Sequence, residues 1–428
     1  MSQEICDNDK IVKLPNELYE KTLREIIYDE LKLNNNEYEI KYSEGSSKGD
    51  NYNGIVYRVQ VIKDNEIKLS LIVKLPPDNP SRREEFLVHK SFIQEADFYD
   101  YLYPLYRKFQ EKHGICVETD GLYEIPKCYK TLTEEPLEAL YFDDLKVHGF
   151  QMFDRTKELT REHVLIVMKA LAKMHATYFS IKDQNPELVD KYRSIKDFIL
   201  MQCHREEAAM KIFNEKMKQQ ALDVLKHSKD EEFVKKIQKV LSVELHKILE
   251  EGISIEEPYA ILCHGDCWVN NIMYKNDVNG VPIECRLLDH TIMRYASPIT
   301  DLMYLIFSGT TKVLRDKHYQ EFLDVYFENL SEFIKRLNSD PEKLFPRSIF
   351  EHHLKKFGKF GLVMAIILVP MFTSSAEDIP EMDDVADEYQ LSKEASGSVM
   401  NFTSSKTIGV YEKRMLGILQ DMVEFGYI

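Results

Sequence analysis

Three oxygen-bearing side chains fall at spacings that can bring them to one metal ion. Asp266 follows a short apolar stretch, Asn271 comes five positions later, and Asp289 lies beyond the pair Asn279-Gly280. The Asn-Gly pair predicts a two-residue hairpin turn, whose antiparallel arms would set Asn271 beside Asp289. Amide and carboxylate oxygens are ligands that suit Mg²⁺. A carboxylate that stays off the metal can accept the proton of a hydroxyl group.

Two predicted strands and a helix earlier in the chain position a second group of charged residues. Residues 55–61 and 67–74 alternate apolar and polar side chains, as half-buried strands do. Lys74 falls on the polar face of the second strand. Residues 82–102 carry apolar side chains at helical spacing, and Glu95 flanks that apolar stripe.

The remaining pattern completes an α+β protein. Short strands are predicted at 122–130 and 138–142, followed by a polar connector. From about residue 160 the spacing becomes helical, and the Lys- and Glu-rich residues 185–252 predict solvated helices. Residues 377–389 hold seven carboxylates and no Lys or Arg, which predicts a mobile acidic loop.

The composition excludes several classes of protein. The 428 residues carry 56 basic and 72 acidic side chains, a formal net charge of -16, which argues against binding to nucleic acid or anionic membranes. The N-terminal residues lack the basic and apolar regions of a secretory signal. The longest apolar run, 362–369, is too short to span a bilayer. Seven cysteines at irregular spacing predict reduced thiols and a cytoplasmic location.

The loop around Asp266 is similar to the HGDxxxxN loop of kinase-like small-molecule phosphotransferases. Together with the RYxSPxxDL stretch at 294–302, it resembles most closely the insect ecdysteroid kinase-like family of CHK-type kinases. The resemblance covers roughly residues 40–420. Segments that agree in order and spacing are Gly49-Asp50-Asn51-Tyr52, Val73-Lys74-Leu75-Pro76, Glu95 with Phe98-Tyr99, Asp143-Asp144-Leu145, Leu171-Ala172-Lys173-Met174-His175-Ala176, His264-Gly265-Asp266 with Asn271, and Leu288-Asp289.

The resemblance implies a two-lobed protein kinase-like fold of the α+β class. Residues 1–144 would form a small β-rich N-lobe and residues 145–428 a large, mainly helical C-lobe. The implied activity is transfer of the γ-phosphoryl group of ATP, with Mg²⁺, to a hydroxyl group of a small lipophilic alcohol, an ecdysteroid-like sterol being favoured. We expect a cytoplasmic enzyme, favoured as a monomer, with no nucleic-acid partner and no membrane span.

The resemblance also implies a role for each candidate site residue. Asp266 would be the catalytic carboxylate, while Asn271 and Asp289 would hold Mg²⁺. Lys74 would reach the α- and β-phosphates, and Glu95 would fix it by an ion pair. The implied nucleotide contacts are completed by Gly49 and Asn51 in a flexible cover over the phosphates, and by Tyr141 and Asp143 in a hinge whose backbone meets adenine.

Other residues near these motifs have structural interpretations. We expect His264 to donate a hydrogen bond that shapes the loop, His175 to be a satisfied core histidine, and Asp301 either to cap its helix or to hold the catalytic loop. The family usually has an aromatic residue and Gln after the metal-binding Asp, where this chain has His290-Thr291. His290 is therefore expected to fill the same packing slot or to alter metal or nucleotide geometry.

Two other functions stay open on the sequence alone. His290 leaves open a kinase-like binding protein that holds a nucleotide or a lipophilic ligand without turnover. The acidic segment 377–389 leaves open a choline- or aminoglycoside-type kinase that acts on a cationic substrate.

Overall fold

The computed structural model describes residues 13–45, 54–154, 157–204, 208–374, 382–391 and 407–428. These residues form helices and sheets, as the α+β prediction requires. The chain divides into two compact units, Met1–Asp100 with Pro126–Phe150, and Tyr101–Ile125 with Gln151–Ile428. The chain changes unit after Asp100, Ile125 and Phe150, and the boundary predicted after residue 144 lies six residues before the third of these points. The sequence pattern does not anticipate that Tyr101–Ile125 belongs to the second unit.

The first unit is built on five strands. These are β1 Glu39–Glu44, β2 Ile55–Lys63, β3 Glu66–Leu75, β4 Cys128–Leu132 and β5 Ala139–Asp143. They form one antiparallel sheet in the order β1-β2-β3-β5-β4. The helices of this unit are α1 Glu17–Leu31, α2 Pro80–Glu85 and α3 Val88–Asp97.

The core of the first unit follows from the alternation in β2 and β3. Val59 and Val61 of β2 and Leu71 and Val73 of β3 are fully buried, and they pack in one cluster with the apolar face of α1. The antiparallel register sets Val59 opposite Leu71. The sequence predicts β2 and β3 at nearly the residue ranges observed, because side chains that alternate between the two faces of a strand leave one face apolar.

Two predicted elements of this region differ from the structure. The predicted helix 82–102 is interrupted between α2 and α3, because Leu87 adopts a left-handed backbone conformation with φ 47°. A π-helical turn, Phe98–Leu102, then leads into α4, Tyr103–Lys112. The predicted strand 122–130 begins only at β4, since Pro126 has no N–H group to donate to a neighbouring strand.

The second unit is mainly helical. Besides α4, its helices are α5 Arg161–Gln184, α6 Phe198–Cys203, α7 Ala208–Asp223, α8 Glu231–Leu241, α9 Leu245–Gly252, α10 Ile299–Gly309, α11 Lys312–Arg336, α12 Pro341–Leu344, α13 Arg347–Phe357, α14 Phe360–Thr373, α15 Met382–Leu391 and α16 Ile408–Glu424. Its short 3-10 turns are Pro186–Leu188, Asp190–Ser194 and Val269–Asn271, while the 3-10 turn Leu145–His148 belongs to the first unit. The short strands are β6 Phe150–Met152, at the junction of the two units, β7 Ile261–Cys263, β8 Ile272–Asn276, β9 Pro282–Leu287 and β10 Arg294–Ala296. Antiparallel pairs join β7 to β10 and β8 to β9.

Helix α5 is long and apolar enough to cross a membrane by length and composition. Within the structure, 78% of its apolar window is buried, and the helix packs along α11 of the same unit. This is the environment of a core helix. No other helix in the described part of the chain passes the same test.

The β8–β9 hairpin is confirmed, whereas its predicted two-residue turn is wrong. The backbone N–H of Asp277 donates to the carbonyl oxygen of Val281 at 2.8 Å. Three residues therefore close the hairpin, and the last of them, Gly280, has φ 81°. A left-handed glycine at the end of a three-residue loop is one of the common hairpin connections.

The acidic segment predicted as a mobile loop is helical where the structure describes it. Helix α15 takes up residues 382–391, while residues 377–381 lie outside the described part of the chain. Val385 and Ala386 are buried, and the three aspartates of α15 are exposed. A helix with one buried apolar side therefore replaces the predicted loop over 382–389.

The cysteines of the described residues are free thiols, as the irregular spacing predicts. No disulfide joins any of Cys116, Cys128, Cys263, Cys267 and Cys285.

Candidate active site

A buried ion pair joins the sheet of the first unit to helix α3. Lys74 lies on β3 opposite Val56, and its Nζ atom is 2.8 Å from Oε2 of Glu95 on α3. The two side chains are only 7% and 2% exposed. The ion pair that the resemblance implies is therefore formed, while a contact of Lys74 with phosphate stays a prediction.

The backbone comes close to Lys74 at Gly54, the first described residue before β2. A Cβ atom on Gly54 would lie 2.9 Å from the carbonyl oxygen of Leu75 and 3.5 Å from Cγ of Lys74. A larger residue would therefore push against the strand that carries the lysine. Gly49 and Asn51, the predicted phosphate cover, lie outside the described residues, and their role stays a prediction.

The predicted hinge residues belong to β5. Tyr141 pairs with Val73 on one side and Lys130 on the other, its ring is fully buried, and its hydroxyl donates to the carbonyl oxygen of Tyr19 at 3.0 Å. Any adenine contact of Tyr141 is thus limited to its backbone. Asp143 ends the strand and lies at the start of the polar connector. Adenine contacts by both residues stay predictions.

In the second unit, the loop after β7 presents Asp266. Its Oδ1 atom accepts a hydrogen bond from the hydroxyl of Tyr304 at 2.6 Å, and its Oδ2 atom accepts one from Nδ2 of Asn271 at 2.7 Å. The same Nδ2 group donates to the backbone oxygen of Asp266 at 3.1 Å. Because the amide donates with its nitrogen, the Oδ1 atom of Asn271 is the atom that can serve as a metal ligand.

Asp301 on α10 holds the backbone of this loop. Its oxygens accept the N–H groups of His264 at 2.7 Å and Gly265 at 2.9 Å. Oδ2 also lies 3.0 Å from Nε2 of His175, whose Nδ1 is 2.8 Å from the hydroxyl of Tyr326. His175 is therefore the satisfied core histidine that the sequence predicts. Of the two roles predicted for Asp301, the structure confirms the hold on the loop.

Both the backbone conformation and the lack of space at position 265 require a glycine. Its φ is 86°, in the left-handed region, and a Cβ atom there would lie 2.1 Å from the carbonyl oxygen of Ile292 and 3.1 Å from Cα of Met293. Backbone atoms cannot rotate away as a flexible side chain can. The HGD turn thus tolerates only glycine at its centre.

The hairpin sets Asn271 beside Asp289, as predicted. At the open end of β8 and β9, the N–H of Leu288 donates to the carbonyl oxygen of Asn271 at 2.8 Å. Asp289 follows with φ 64°, a left-handed conformation that costs a residue other than glycine about 1–2 kcal/mol. One carboxylate and one amide oxygen suit Mg²⁺, which takes few protein ligands and keeps water and phosphate oxygens. The donor set therefore fits the predicted ion.

The carboxyl group of Asp266 is suited to accept a proton. Its removal from water and then the negative charge of Asp289 raise the pKa of Asp266 to about 7, while the hydrogen bonds from Tyr304 and Asn271 act to lower it. A general base works best when its pKa lies near the working pH. A cation held by Asn271 and Asp289 would offset the repulsion between the two carboxylates.

His264 and His290 pack against each other behind the loop. Both are buried, and their ring centroids are 4.5 Å apart. Burial lowers the pKa of His264, which favours the neutral ring, and its Nδ1 accepts the N–H of Asp266 at 3.2 Å. His264 thus shapes the loop as predicted, although it accepts a hydrogen bond. His290 fills a packing position, and its effect on metal or nucleotide geometry stays a prediction.

Two residues near Asp266 are not assigned by the sequence. Tyr304 lies three positions after Asp301, which places both on one face of α10, so helical spacing could have found it. Arg294 is 1% exposed, and its Nε donates to Asp197, the N-cap residue of α6, at 2.7 Å. That contact joins distant segments, so no local pattern predicts it.

These features together define the class of the protein. A buried Lys–Glu pair in the β-rich unit, and in the helical unit an Asp, an Asn five positions later and an Asp beyond a hairpin, are the parts of a kinase-like phosphotransferase. The chain belongs to the ecdysteroid kinase-like family, which matches residues 48–339. The resemblance is confirmed, and with it the two-lobed, α+β kinase-like fold.

Solved structures similar to this chain are complexes and apoenzymes of antibiotic phosphotransferases. The GDP and kanamycin complex of APH(2'')-IIia has 10% identity and a TM-score of 0.39, covering 88% of this chain and 99% of that chain. The GDP complex of wild-type aminoglycoside 2'-phosphotransferase-IIIa has 11% identity and a TM-score of 0.38, covering 81% and 99%. The apoenzyme of macrolide 2'-phosphotransferase MphH from Brachybacterium faecium has 10% identity and a TM-score of 0.33, covering 86% and 97%. No curated protein matches the chain significantly.

Proposed function

We propose that the protein is an ATP-dependent small-molecule kinase that transfers the γ-phosphoryl group to a hydroxyl group of a lipophilic alcohol. An ecdysteroid-like sterol is the favoured acceptor. The observation that carries the proposal is the arrangement around Asp266, whose carboxylate is oriented by Tyr304 and Asn271 beside the pair Asn271 and Asp289. This arrangement supports the proposal, because phosphoryl transfer requires a group that accepts or orients the hydroxyl proton close to oxygen ligands for a metal ion.

In the proposed reaction, Asp266 accepts the proton of the acceptor hydroxyl as that oxygen attacks the γ-phosphorus. Tyr304 and Asn271 keep the carboxylate in one orientation before the substrate arrives, which lowers the cost of reaching the reactive geometry. Mg²⁺, when held by Asn271 and Asp289, would bridge phosphate oxygens and neutralise their charge.

The first unit is proposed to bind the nucleotide. Lys74 would contact the α- and β-phosphate oxygens, and its buried pair with Glu95 would keep the ammonium group at one position. Gly49 and Asn51 would cover the phosphates with their backbone. The backbone of Tyr141 and Asp143 would meet adenine.

The side chains next to the proposed base support a lipophilic acceptor. The ring of Tyr304 meets the ring of Phe360 edge to face, with centroids 6.4 Å apart. Phe360 begins α14, a helix of 14 residues without a charged side chain. Both side chains are buried, and in the proposed complex such apolar surroundings would favour a substrate whose surface is mostly hydrocarbon.

We further propose that the enzyme acts as a cytoplasmic monomer on a free small molecule, without a nucleic-acid partner. The net charge of -16, the free thiols and the buried position of α5 support this proposal.

The test compares Asp266→Asn with Asp289→Ala. D266N should lower phosphoryl transfer by roughly 10²- to 10⁴-fold while Mg·ATP still binds, because only the proton acceptor is lost. D289A should instead weaken Mg²⁺-dependent nucleotide binding. Product formation across a panel of steroid alcohols, together with calorimetric titration of Mg·ATP, measures both effects.

Each alternative function predicts a different outcome. Full activity of D266N contradicts the proposed base, and an unchanged Mg²⁺ dependence of D289A contradicts the metal ligand. A wild-type protein that binds sterols but forms no product across the panel is a binding protein. Phosphorylation of choline or kanamycin in place of any lipophilic alcohol indicates a kinase for cationic substrates.

A further inference from the structure

Arg294 carries two buried N–H groups that the proposed reaction does not use. Its Nη1 and Nη2 atoms are shielded from solvent and have no hydrogen-bond partner among the residues that the structure describes. A buried donor that loses water without gaining an acceptor is costly. An arginine in this situation is suited to receive an oxygen atom from a ligand.

The other sides of the guanidinium group are occupied. Nε donates to Asp197 at 2.7 Å, and the second oxygen of Asp197 accepts the N–H of Leu200 at the start of α6. The ring of Phe360 covers one face, with its centroid 4.8 Å from Cζ. Within the described structure Nη1 and Nη2 have no hydrogen-bond partner, and because both are buried, an oxygen that binds them must displace the atoms that cover them.

Arg294 belongs to the same group of side chains as the proposed base. Phe360, which covers the guanidinium, also meets the ring of Tyr304, and the hydroxyl of Tyr304 donates to Asp266. Asp266 is the partly exposed member of this group. The positive charge of Arg294 also acts to lower the pKa of Asp266. Arg294 is therefore linked to the proposed base through Phe360 and Tyr304.

We propose that Arg294 is a specificity-determining residue that binds a second oxygen atom of the acceptor, while Phe360 contacts its hydrocarbon surface. The acceptor is then a neutral, lipophilic molecule with at least two oxygen functions, one that is phosphorylated and one that accepts from Nη1 and Nη2. This inference rests on the proposed function, since it takes Asp266 as the base. The permanent charge of Arg294 disfavours a cationic acceptor.

The positive charge of Arg294 could also bind oxygens of the γ-phosphate. An experiment can distinguish a contact with the acceptor from a contact with the nucleotide. An arginine that contacts the acceptor changes the affinity for the acceptor and leaves that for Mg·ATP unchanged. An arginine that contacts the nucleotide does the reverse. We assign the acceptor, because Phe360 and the capped start of α6 surround the guanidinium on its other sides.

The experiment measures binding without nucleotide and uses two sterols in the same detergent. Ecdysone carries several oxygen functions, and cholesterol carries one. Wild-type protein should bind ecdysone more tightly, and Arg294→Gln should weaken ecdysone binding by roughly ten- to a hundredfold, the value of a hydrogen bond to a charged group. Cholesterol binding should change less than about threefold, since the lost contact involves the second oxygen alone.

Asp197→Asn is the matched control, because it keeps an oxygen for Nε and leaves Nη1 and Nη2 in place. It should retain the preference for ecdysone. Equal weakening of both sterols by R294Q and D197N would mean that Arg294 only supports α6, and it would overturn the assignment. Binding of choline or kanamycin, or no preference for ecdysone in the wild type, overturns it as well. Weaker Mg·ATP binding in R294Q, with the sterol preference intact, assigns Arg294 to the nucleotide.

Turnover separates this inference from the proposed function. Arg294-dependent ecdysone binding without product formation supports the contact between Arg294 and the sterol, but overturns the kinase and, with it, the assignment of that sterol as a phosphate acceptor. Phosphorylation of ecdysone by wild type, and by R294Q with unchanged preference, supports the kinase and overturns the role of Arg294. Thermal unfolding of each variant confirms that the loss of binding is not a loss of fold.

Discussion

The two units hold their charged site residues in different ways. In the first unit Lys74 on a strand forms a 2.8 Å ion pair with Glu95 on a helix, and its ammonium group lies over the ring of Phe92. In the second unit the loop at Asp266 is fixed by many contacts. Tyr304 and Asn271 hold the carboxylate, Asp301 holds the backbone, and Gly265 and Asp289 adopt left-handed conformations.

The difference reflects what each group is proposed to do. A lysine that binds phosphate acts as a point charge at the end of a flexible stem, so contacts with its ammonium group suffice to direct it. A proton acceptor and two metal ligands must meet narrow distances and directions, and a loop without regular structure cannot supply these alone. The second unit therefore holds its loop with buried polar groups and with strained backbone conformations.

The largest effect should come from Gly265→Ala, which tests the crowded loop. The new Cβ would collide with the carbonyl oxygen of Ile292 at 2.1 Å in a backbone with φ 86°. Combining the cost of a left-handed alanine with that of overpacking gives about 4 kcal/mol of lost stability. Urea unfolding measures it.

Gly280→Ala is its control, since Gly280 has φ 81° but nothing within 4 Å of the added Cβ. It should cost only about 1 kcal/mol. Equal effects of the two variants would show that the approach of Ile292 to Gly265 does not constrain the loop.

A smaller effect is expected from Asp301→Asn, which removes one acceptor from the backbone of the same loop. Asp301 is fully buried and faces His264, Gly265 and His175. An amide leaves one of these donors without an acceptor, and the loss should be about 3 kcal/mol by urea unfolding. Asp316→Asn, at an exposed i,i+4 pair with Lys312, should change stability by less than about 1 kcal/mol.

The pH dependence of this variant provides a second measurement. Burial acts to raise the pKa of Asp301, but the hydrogen bond and charge of His175, then the charge of His264 and the N–H of Gly265, lower it, and the net direction is downward. Its contribution to stability is therefore present above the unfolded value of about 3.9 and lost as the pH falls through the lower folded value. D301N should lose less stability than wild type over this acidic range; an identical acid profile would contradict the assignment.

Of the site variants other than the controls, Lys74→Met should have the smallest effect on stability, and it tests the buried ion pair with Glu95. The change leaves Glu95 buried without its cation, but a carboxyl group can take up a proton, so the loss should be about 2 kcal/mol. Affinity for Mg·ATP should fall roughly ten- to a hundredfold, because a hydrogen bond to a charged group is lost.

Lys68→Met provides the comparison, since Lys68 lies on the same strand and face but pairs with exposed Glu66. It should leave nucleotide affinity and stability unchanged. A loss of Mg·ATP binding in K68M equal to that in K74M would exclude a special role for Lys74.

The sequence predicts those parts of the site that depend on the local periodicity of apolar and polar residues. The alternation of apolar and polar residues along β3 predicts the face on which Lys74 lies, and the pairing of β8 with β9 predicts that Asn271 lies beside Asp289. The helix break at Leu87 and the three-residue turn before Val281 depend on single backbone conformations, which composition does not reveal. The contacts of Asp301 with the loop and of Arg294 with Asp197 join segments far apart in the chain, and only tertiary packing decides them.

Different contacts constrain the two ends of the β8–β9 hairpin. At the open end, one backbone hydrogen bond sets Asn271 against Asp289, while at the tip Gly280 has no neighbour within 4 Å and Val278 is fully exposed. The spacing between Asn271 and Asp289, the proposed ligand pair, is therefore independent of the length of the hairpin tip. A fluorophore or an affinity tag inserted there would report on the protein in solution and leave Asn271 and Asp289, the proposed metal ligands, where they are.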